Sequence, residues 1–589
     1  MPPAPSDRHV DALPAVLRDY ALLADGHRGA LVGPDGDIAW LCAPRWSDPA
    51  VFSSLLGGPG RYLVTPAATR FVWGGHYEAA SLIWRSRWVT GDGIIESREA
   101  LVFPGDADRL VLLRQVRALD RPARVRVVLD PRADFGRSPV REVTCDRGLW
   151  RARTGGLHLR FHGGAGLRPA SDGFLVGELA VPPGGQHDLV LEVSATPLVQ
   201  PCEEPAELWR ITEFHWDAVI PEMSGAAERD ARLAYAVLRG MTPPGGGMVA
   251  AATTALPERA MQGRDYDYRY AWIRDQAFAG QAAAVAGHYG LLDDAVSFLS
   301  GRVLADGDRL APAYTIGGEP VPPVRQLAHL PGYPGALPGT GNRVGGQFQL
   351  DAFGEVLLAL AAAGRLDRLD SDAHHAMEVA ASAIADRWSE PDSGIWELSP
   401  RQWTHSKLTC VAGLRAAARI VPAGVAGRWS ALADRILADA ATHGLDRAGR
   451  WQRAYDDRRV DAALLLPAIR GALPPQDPRT ERTRRAVLAD LAADGYLYRF
   501  RADRRPLGDA EGAFLLCGFA AALSSWQAGD LVGATQWFER SRAACGCPGL
   551  YTEEYDVAQR QLRGNLPQAF VHALMLETAV TLAHATACG

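Results

Sequence analysis

Two segments in the second half of the chain place carboxyl groups beside aromatic rings and could together supply an acid and a base. The first is Gly394-Ile395-Trp396-Glu397-Leu398, where an indole and apolar neighbours flank one glutamate. Partial desolvation raises the pKa of such a carboxyl and keeps it protonated. The second is Leu550-Tyr551-Thr552-Glu553-Glu554-Tyr555-Asp556, with three acids within four positions. Glycoside hydrolysis requires one protonated and one ionised carboxyl flanking the scissile bond.

A third segment alternates aromatic and charged side chains, and its sequence is Asp265-Tyr266-Asp267-Tyr268-Arg269-Tyr270-Ala271-Trp272-Ile273-Arg274-Asp275. Aromatic faces next to paired donors and acceptors suit a sugar, whose C–H face stacks on a ring while its hydroxyls need polar partners. All three segments also have structural interpretations. These are a surface Glu beside a Trp, a solvated acidic helix cap, and a local Arg–Asp pair at the edge of a buried element. The residues alone leave both interpretations open.

The lone lysine of the chain, Lys407, lies ten residues after Glu397, in a sequence with 62 Lys plus Arg. In a chain this rich in arginine, a retained lysine marks a place where a compact ammonium is not replaced by a planar guanidinium. It occurs in Thr404-His405-Ser406-Lys407. We expect Lys407 to bind a substrate hydroxyl or to neutralise an acid. His405 is either a second polar contact or a structural histidine.

Helices must position these segments, because the pattern from about residue 226 onward is rich in Ala and Leu at helical spacing. Twelve helices are enough for six helical hairpins, and without a fixed-period repeat we expect a closed toroid of paired helices. The stretch 307–346, rich in Pro and Gly, is expected to carry binding residues. Candidate helices begin near positions 226, 273, 290, 349, 370, 405, 425, 458, 478, 510, 529 and 566.

The preceding part of the chain shows short runs with period-two alternation, separated by turn residues such as Pro34-Asp35-Gly36-Asp37. This spacing is typical of an antiparallel sandwich. We therefore predict an N-terminal β-sandwich domain at 1–222 and a helical domain at 223–589. The runs at 29–42, 110–116, 123–129 and 189–193 are examples.

Composition excludes several classes of function. The chain has 589 residues, 47% of them hydrophobic, and a net charge of −6 without a basic block, so nucleic acid is not an expected partner. No apolar run resembles a signal peptide or a membrane span, which predicts a soluble cytoplasmic protein. The 8 cysteines are scattered, and no second ligand cluster accompanies Cys545-Gly546-Cys547, so we predict reduced thiols and no metal site. A homo-oligomer is compatible with the sequence.

Taken together, these segments resemble glycoside hydrolase family 15, the bacterial glucoamylase- and trehalase-like enzymes. The resemblance extends over nearly the whole chain in order and spacing. Two departures, Asp265-Tyr266 in place of Asn-Trp and Phe353 in place of Tyr, leave the aglycone preference open. The matching segments are 35–42, 44–45, 47–52, 251–258, 268–275, 349–356, 394–407, 511–514 and 553–556.

The resemblance implies an N-terminal antiparallel β-sandwich followed by an (α/α)6 barrel, an inverting reaction and no organic cofactor. It assigns the general acid to Glu397 and the general base to Glu553. It also implies hydrogen bonds from Arg274 and Asp275 to the terminal sugar, with Trp272 as a wall and Tyr268 close to the base. The predicted substrate-binding residues are Tyr268, Trp272, Arg274, Asp275, Trp396, His405 and Lys407.

The function implied is an exo-acting α-glucoside hydrolase that releases glucose from the non-reducing end of a small carbohydrate. Trehalose is the first expected substrate, followed by malto- and isomalto-oligosaccharides. Two alternatives are a carbohydrate-binding relative that has lost catalysis and a glucosyl-transferring enzyme on the same scaffold. Both glutamates are present, which favours a hydrolase over the catalytically silent relative.

Overall fold

The N-terminal part of the protein is a sandwich of two antiparallel sheets. The computed structural model describes residues 14–79, 81–170, 175–225, 227–261, 263–502 and 504–587, so the first residues of the predicted sandwich domain, 1–13, lie outside the described residues. Within these ranges both sheets have eight strands. The strands are β1 Ala21–Ala24, β2 Gly29–Val32, β3 Asp37–Cys42, β4 Ala50–Phe52, β5 Arg61–Pro66, β6 Phe71–Tyr77, β7 Trp84–Thr90, β8 Gly93–Leu101, β9 Arg109–Ala118, β10 Ala123–Asp130, β11 Val140–Asp146, β12 Leu149–Thr154, β13 Leu157–His162, β14 Arg168–Pro169, β15 Leu175–Val181 and β16 Gln186–Ser194.

The first sheet has the order β1-β2-β3-β5-β10-β15-β14, with β4 paired to β3, and the second has the order β11-β12-β13-β16-β9-β8-β7-β6. Alternate residues of facing strands meet between the sheets, as Val64 and Val125 do with Leu112 and Leu191. The predicted antiparallel sandwich is therefore confirmed. The other face of β1 to β3 packs against the helical part through Leu22, Leu31 and Trp40.

The helices follow the sandwich. The described helices are α1 Pro205–Val219, α2 Glu228–Gly240, α3 Ile273–Ala286, α4 Gly290–Asp306, α5 Leu350–Gly364, α6 Ser371–Arg387, α7 Thr404–Ala417, α8 Ala423–His443, α9 Leu466–Ile469, α10 Pro478–Leu491, α11 Leu515–Gln527, α12 Leu531–Arg542 and α13 Ala569–Ala587. Short 3-10 helices lie at Leu17–Asp19, Ser54–Leu56, Gly307–Arg309, Val344–Gly346 and Ala462–Leu465, and the loops carry short strands at Ala271–Trp272, Ala313–Tyr314, Arg325–Gln326, Gly339–Thr340, Ala492–Ala493, Tyr496–Leu497, Ala513–Phe514, Glu554–Asp556 and Gln561–Arg563.

Each of the twelve predicted helix starts lies within five residues of a helix from α2 to α13, counting the 3-10 turn Ala462–Leu465 that leads into α9. The helix α1 was not predicted. Its sequence lies in the part of the chain that was predicted to form strands. Pro205 stands at the first position of the helix, where proline is favoured, and the helix buries Trp209 and Trp216. The predicted domain boundary near residue 222 follows the end of this helix and stays a prediction.

Among the described helices, α3, α5, α7, α9, α11 and α13 form a closed inner ring in which each packs against the next. The helices α2, α4, α6, α8, α10 and α12 pack outside it. Inner helices are buried on nearly every side, as α5 shows from Leu350 to Ala363, whereas an outer helix such as α8 buries one stripe. The helical part is therefore the predicted (α/α)6 barrel.

One end of the barrel is built by the loops that precede the inner helices. Two of these segments, 251–272 and 307–346, also contact the sandwich. The Trp40 indole donates to the carbonyl of Ala252 at 2.9 Å, and the amide of Gly332 donates to the carbonyl of Leu56 at 2.9 Å. The sandwich thus supports two of the loops that close this end of the barrel. No helix in the described part of the chain is long and apolar enough to cross a membrane.

The ion pair between Arg269 and Asp267 fixes the first of these loops. The Arg269 guanidinium, fully buried, binds the Asp267 carboxylate at 2.8 Å and donates to the carbonyl of Asp48 in the sandwich at 2.9 Å. A charge buried without its partner is strongly unfavourable. The pair therefore links the barrel loop to the sandwich.

Replacing Arg269 by Met should destabilise the protein by about 3–5 kcal/mol, because it leaves the Asp267 carboxylate buried without its partner. Urea unfolding followed by circular dichroism measures this change. The control is Arg210→Met, which breaks the exposed pair with Glu207 and should leave the unfolding midpoint unchanged. Equal midpoints for both variants would contradict this role of Arg269.

Candidate active site

A cavity of about 720 Å³ opens at the end of the barrel formed by the loops before the inner helices. We call it the barrel cavity. Five of the predicted site residues line it, namely Tyr268, Arg274, Trp396, Glu397 and Glu553. Further lining residues from the predicted loop at 307–346 are Val324, Gln326, Gly339, Gly341, Asn342 and Arg343. The structure therefore brings both candidate catalytic glutamates to one cavity.

Glu397 lies in the loop between α6 and α7, in the left-handed region with φ of 55°. The Trp272 indole donates to its Oε1 at 2.7 Å, and the Arg274 Nη1 lies 4.0 Å from the same oxygen. The side chain is 25% exposed. Burial raises the pKa of this carboxyl, although Arg274 and the Trp272 hydrogen bond oppose the shift. This environment favours the protonated form of Glu397.

Arg274 is held rigidly at the start of α3. Its guanidinium pairs with Asp275 at 2.9 Å and donates to the carbonyl of Ile395 at 2.7 Å. Asp275 is fully buried, and its Oδ1 has no hydrogen-bond partner among the described residues. Neither Asp275 nor Trp272 is among the residues that line the barrel cavity, but both contact residues that do. Trp272 positions Glu397, and Asp275 positions Arg274, from the side away from the cavity.

The indole that contacts Glu397 is Trp272 and not its neighbour in sequence. The Trp396 side chain is directed to Asp461, to which its Nε1 donates at 2.8 Å, and it packs edge-on against Phe514 with ring centroids 5.0 Å apart. Consecutive side chains of this tight turn diverge, so adjacency in sequence does not predict contact. The raised pKa of Glu397 is thus due to the burial of its carboxyl among all its neighbours and not to contact with the Trp396 indole.

Glu553 precedes the short strand Glu554–Asp556, which pairs with Ala513–Phe514 and Gln561–Arg563. The Tyr268 hydroxyl lies 3.3 Å from Glu553 Oε2 and 3.3 Å from Glu258 Oε1. Both carboxyls therefore lie next to the same hydroxyl. Burial and then the neighbouring Glu258 charge raise the pKa of Glu553 well above its usual range.

Two arginines lie among the acids around Glu553. Arg264 lies 3.0 Å from Glu511 and 3.8 Å from Glu258, and Arg499 lies 3.0 Å from Glu511 and 3.7 Å from Glu554. Sequence reasoning identified none of Glu258, Arg264, Arg499 and Glu511 as site residues. Glu258 and Glu511 stand in segments that carry the family resemblance, which is the signal that could have found them.

His405 and Lys407 do not reach the barrel cavity. The Lys407 ammonium donates to the carbonyls of Trp388 and Glu390, behind the loop that carries Glu397. His405 Nδ1 lies 3.9 Å from Asp351 and its Nε2 lies 3.3 Å from Thr409 Oγ1, all within the barrel wall. Burial lowers the pKa of His405 to about 3. We therefore do not assign His405 and Lys407 to substrate binding.

The described residues include no group of three or more His, Cys, Asp or Glu arranged to hold a metal ion. The charged groups of the barrel cavity are organised around carboxyls and guanidiniums instead. Buried carboxyls with raised pKa values beside fixed donors are suited to proton transfer. Guanidinium groups with fixed geometry are suited to binding hydroxyls.

Comparison with known proteins relates this arrangement to a family. The family model for Glycosyl hydrolases family 15 matches residues 232–580, and the model Trehalase-like, N-terminal matches residues 12–163. The chain is 30% identical to a trehalase of Mycobacterium tuberculosis, over 96% of this chain and 89% of the relative. It is 27% identical to a trehalase of Thermoplasma acidophilum, over 94% of this chain and 98% of the relative.

Among solved structures, a bacterial glucoamylase complexed with acarbose superposes with a TM-score of 0.74 and 14% sequence identity. The match covers 99% of this chain and 96% of the other. At this identity the likeness concerns the fold, in which a sandwich precedes an (α/α)6 barrel.

Proposed function

The chain belongs to glycosyl hydrolases family 15 and is a glycosidase, and on this premise we propose that it is an exo-acting, inverting α-glucoside hydrolase. The observation that carries the proposal is that Glu397 and Glu553 line the same cavity in different surroundings. One carboxyl contacts an indole N–H, and the other is paired with a second carboxyl. Different surroundings give two carboxyls different roles.

Glu397 is the general acid in this proposal. It protonates the glycosidic oxygen as the bond to the anomeric carbon breaks. Glu553 is the general base and takes a proton from the water that attacks the opposite face of the sugar. An inverting enzyme places these two carboxyls roughly 6.5–9.5 Å apart, which leaves room for the water.

Arg274 is the proposed contact to hydroxyls of the non-reducing glucose, since Asp275 and the carbonyl of Ile395 fix its guanidinium at the cavity wall. Tyr268 is the proposed neighbour of both the base and the sugar ring. Trehalose is the proposed first substrate, supported by the two trehalase relatives that match along almost the whole chain. Malto- and isomalto-oligosaccharides are the second choice.

Glu397→Gln and Glu553→Gln should each lower kcat by about 10²–10⁴-fold, because each removes a proton-transferring group while keeping the side-chain volume. Hydrolysis of trehalose followed by glucose release measures this loss. Glu390→Gln, an exposed carboxyl seven positions before Glu397, is the matched control and should leave kcat unchanged. Either active-site variant retaining more than about a tenth of wild-type activity would contradict its assigned role.

The pH profile should depend on Trp272 and not on Trp396. The indole N–H of Trp272 stabilises the ionised form of Glu397, so Trp272→Phe should raise the Glu397 pKa further and keep the acid protonated to higher pH. The basic limb of kcat/KM should then move up by about one pH unit, since a hydrogen bond to a charged group contributes about 1.5 kcal/mol and one pKa unit is about 1.4 kcal/mol.

Trp396→Phe is the matched control, because its indole binds Asp461 and makes no hydrogen bond to Glu397. The basic limb should stay in place in this variant. A shift in Trp396→Phe without one in Trp272→Phe would reverse the assignment of the contact.

The stereochemistry of the product tests inversion directly. Proton NMR of a fresh reaction with trehalose should show α- and β-glucose in equal amounts before mutarotation. Water attacks the face of one anomeric carbon opposite the α-linkage and gives β-glucose, and the leaving glucose keeps its α configuration. A panel of trehalose, maltose, isomaltose and isomaltotriose should give the highest kcat/KM for trehalose. Early α-glucose from trehalose without β-glucose would refute inversion, and a higher kcat/KM for maltose or isomaltose would refute the substrate preference alone.

A further inference from the structure

We propose that Glu258 is a positioning residue for the base, and that by sharing a proton with Glu553 beside the Tyr268 hydroxyl it sets the pH at which Glu553 becomes free to act. This inference rests on the proposed function, in which Glu553 is the general base. It adds a residue that touches the base rather than the substrate bond.

The burial of the two carboxyls and their common neighbour, the Tyr268 hydroxyl, favour a shared proton. Glu258 is 4% exposed and Glu553 is 6% exposed, so water screens neither charge. The Tyr268 hydroxyl has a single proton and lies 3.3 Å from each carboxyl, so it donates to one of them at a time. Two buried carboxylates beside one hydroxyl repel each other, and a proton held between them relieves this repulsion.

The charges around the pair do not remove this repulsion. Glu258, Glu511, Glu553 and Glu554 carry four carboxyls, whereas Arg264 and Arg499 supply two guanidiniums, which leaves two negative charges in excess if every carboxyl is ionised. Glu511 binds both arginines at 3.0 Å. Burial alone would raise the pKa of Glu511, but the two arginines outweigh it and lower this pKa. The arginines are thus committed mainly to Glu511.

The other groups that face Glu258 and Glu553 either raise the pKa of the pair further or change it little. Glu554 accepts a hydrogen bond from the amide of Gly512 at 2.7 Å, and burial followed by the charge of Glu258 raises its pKa to about 8. Tyr266 stacks on Tyr268 with ring centroids 6.0 Å apart. Glu397 and Arg274 also line the barrel cavity, and Glu397 in its protonated form adds no charge. The pair therefore retains its last proton to a higher pH than an isolated carboxyl would.

The consequence for catalysis is a limit on the base. While the shared proton is held between the two carboxyls, Glu553 is a weaker base. Its basicity rises as the pair releases that proton to solvent, and this release defines the acidic limb of the pH profile. Glu258 exchanges no proton with the sugar. The water proton passes to Glu553 and the Glu397 proton passes to the leaving oxygen, so the proton balance of hydrolysis is unchanged.

The test is Glu258→Gln, which keeps the side-chain volume, removes the like charge and offers an amide N–H to Glu553. The pKa of the base should fall, so the acidic limb of kcat/KM should move to lower pH by about one unit or more. The basic limb, set by Glu397, should stay in place. Tyr268→Phe should move the acidic limb in the opposite direction, because it removes a donor that stabilises the ionised pair.

The matched control is Asp265→Asn, which removes one negative charge from a residue that lines the same cavity without contacting Glu553. It keeps the acceptor for the amide of Leu337 and should leave the acidic limb in place. An equal shift in this control would show a general field effect and overturn the specific role of Glu258.

Two further outcomes would overturn the proposal. One is an unmoved acidic limb in an active Glu258→Gln enzyme. The other is a folded Glu258→Gln protein without turnover at any pH, which would show that Glu258 is needed for the reaction itself and not only for the pH at which the base acts. If the Gln variant does not fold, Glu258→Asp withdraws the carboxyl from Glu553 and should give a smaller shift of the same sign. Glu553→Gln distinguishes failure of the proposed function from failure of this inference. Full activity in that variant would show that Glu553 is not the base, independently of any effect of Glu258.

Discussion

Keeping one carboxyl ionised in a cavity of buried acids is the most demanding physical requirement of the proposed mechanism. Burial raises the pKa of both Glu397 and Glu553, because removal of water disfavours the charged form of any acid. A protonated acid is therefore readily obtained in this environment. An ionised base needs nearby cations and donors, which Arg499 and the Tyr268 hydroxyl supply. The neighbours of each glutamate, more than its burial, decide its role.

The architecture satisfies this requirement by bringing distant segments to one end of a ring. Each inner helix of the barrel is preceded by a loop, and these loops meet because the helices run side by side around a common axis. Glu258 and Glu553 are 295 positions apart in the sequence, yet both lie 3.3 Å from the Tyr268 hydroxyl. The sandwich contributes by holding the loop of Arg269 and Asp267 from outside. A strained φ of 55° at Glu397 persists in such a setting because its surroundings fix it.

Periodicity predicted the elements of this fold well, since helical spacing and strand alternation are local properties. Every predicted helix has a counterpart, and the missed helix Pro205–Val219 lies where a short amphipathic stretch follows the last strand. The family resemblance selected Glu397 and Glu553, and both line the barrel cavity. The partners of these residues were not predicted, because contacts such as Trp272 with Glu397 join residues 125 positions apart. Local sequence suggested Trp396 in that place, and the turn directs its indole elsewhere.

Lys407 shows how a residue can matter to a site without touching it. Its ammonium donates to the carbonyls of Trp388 and Glu390, just beyond the end of α6, where cations complement the unpaired carbonyls of a helix. Nearby, the Asp392 carboxylate accepts hydrogen bonds from the amides of Leu350 and Gly394 and the hydroxyl of Ser406. These contacts hold the loop from α6 to Glu397 at both sides. A guanidinium is larger and planar, so the buried space at position 407 favours the one lysine over another arginine.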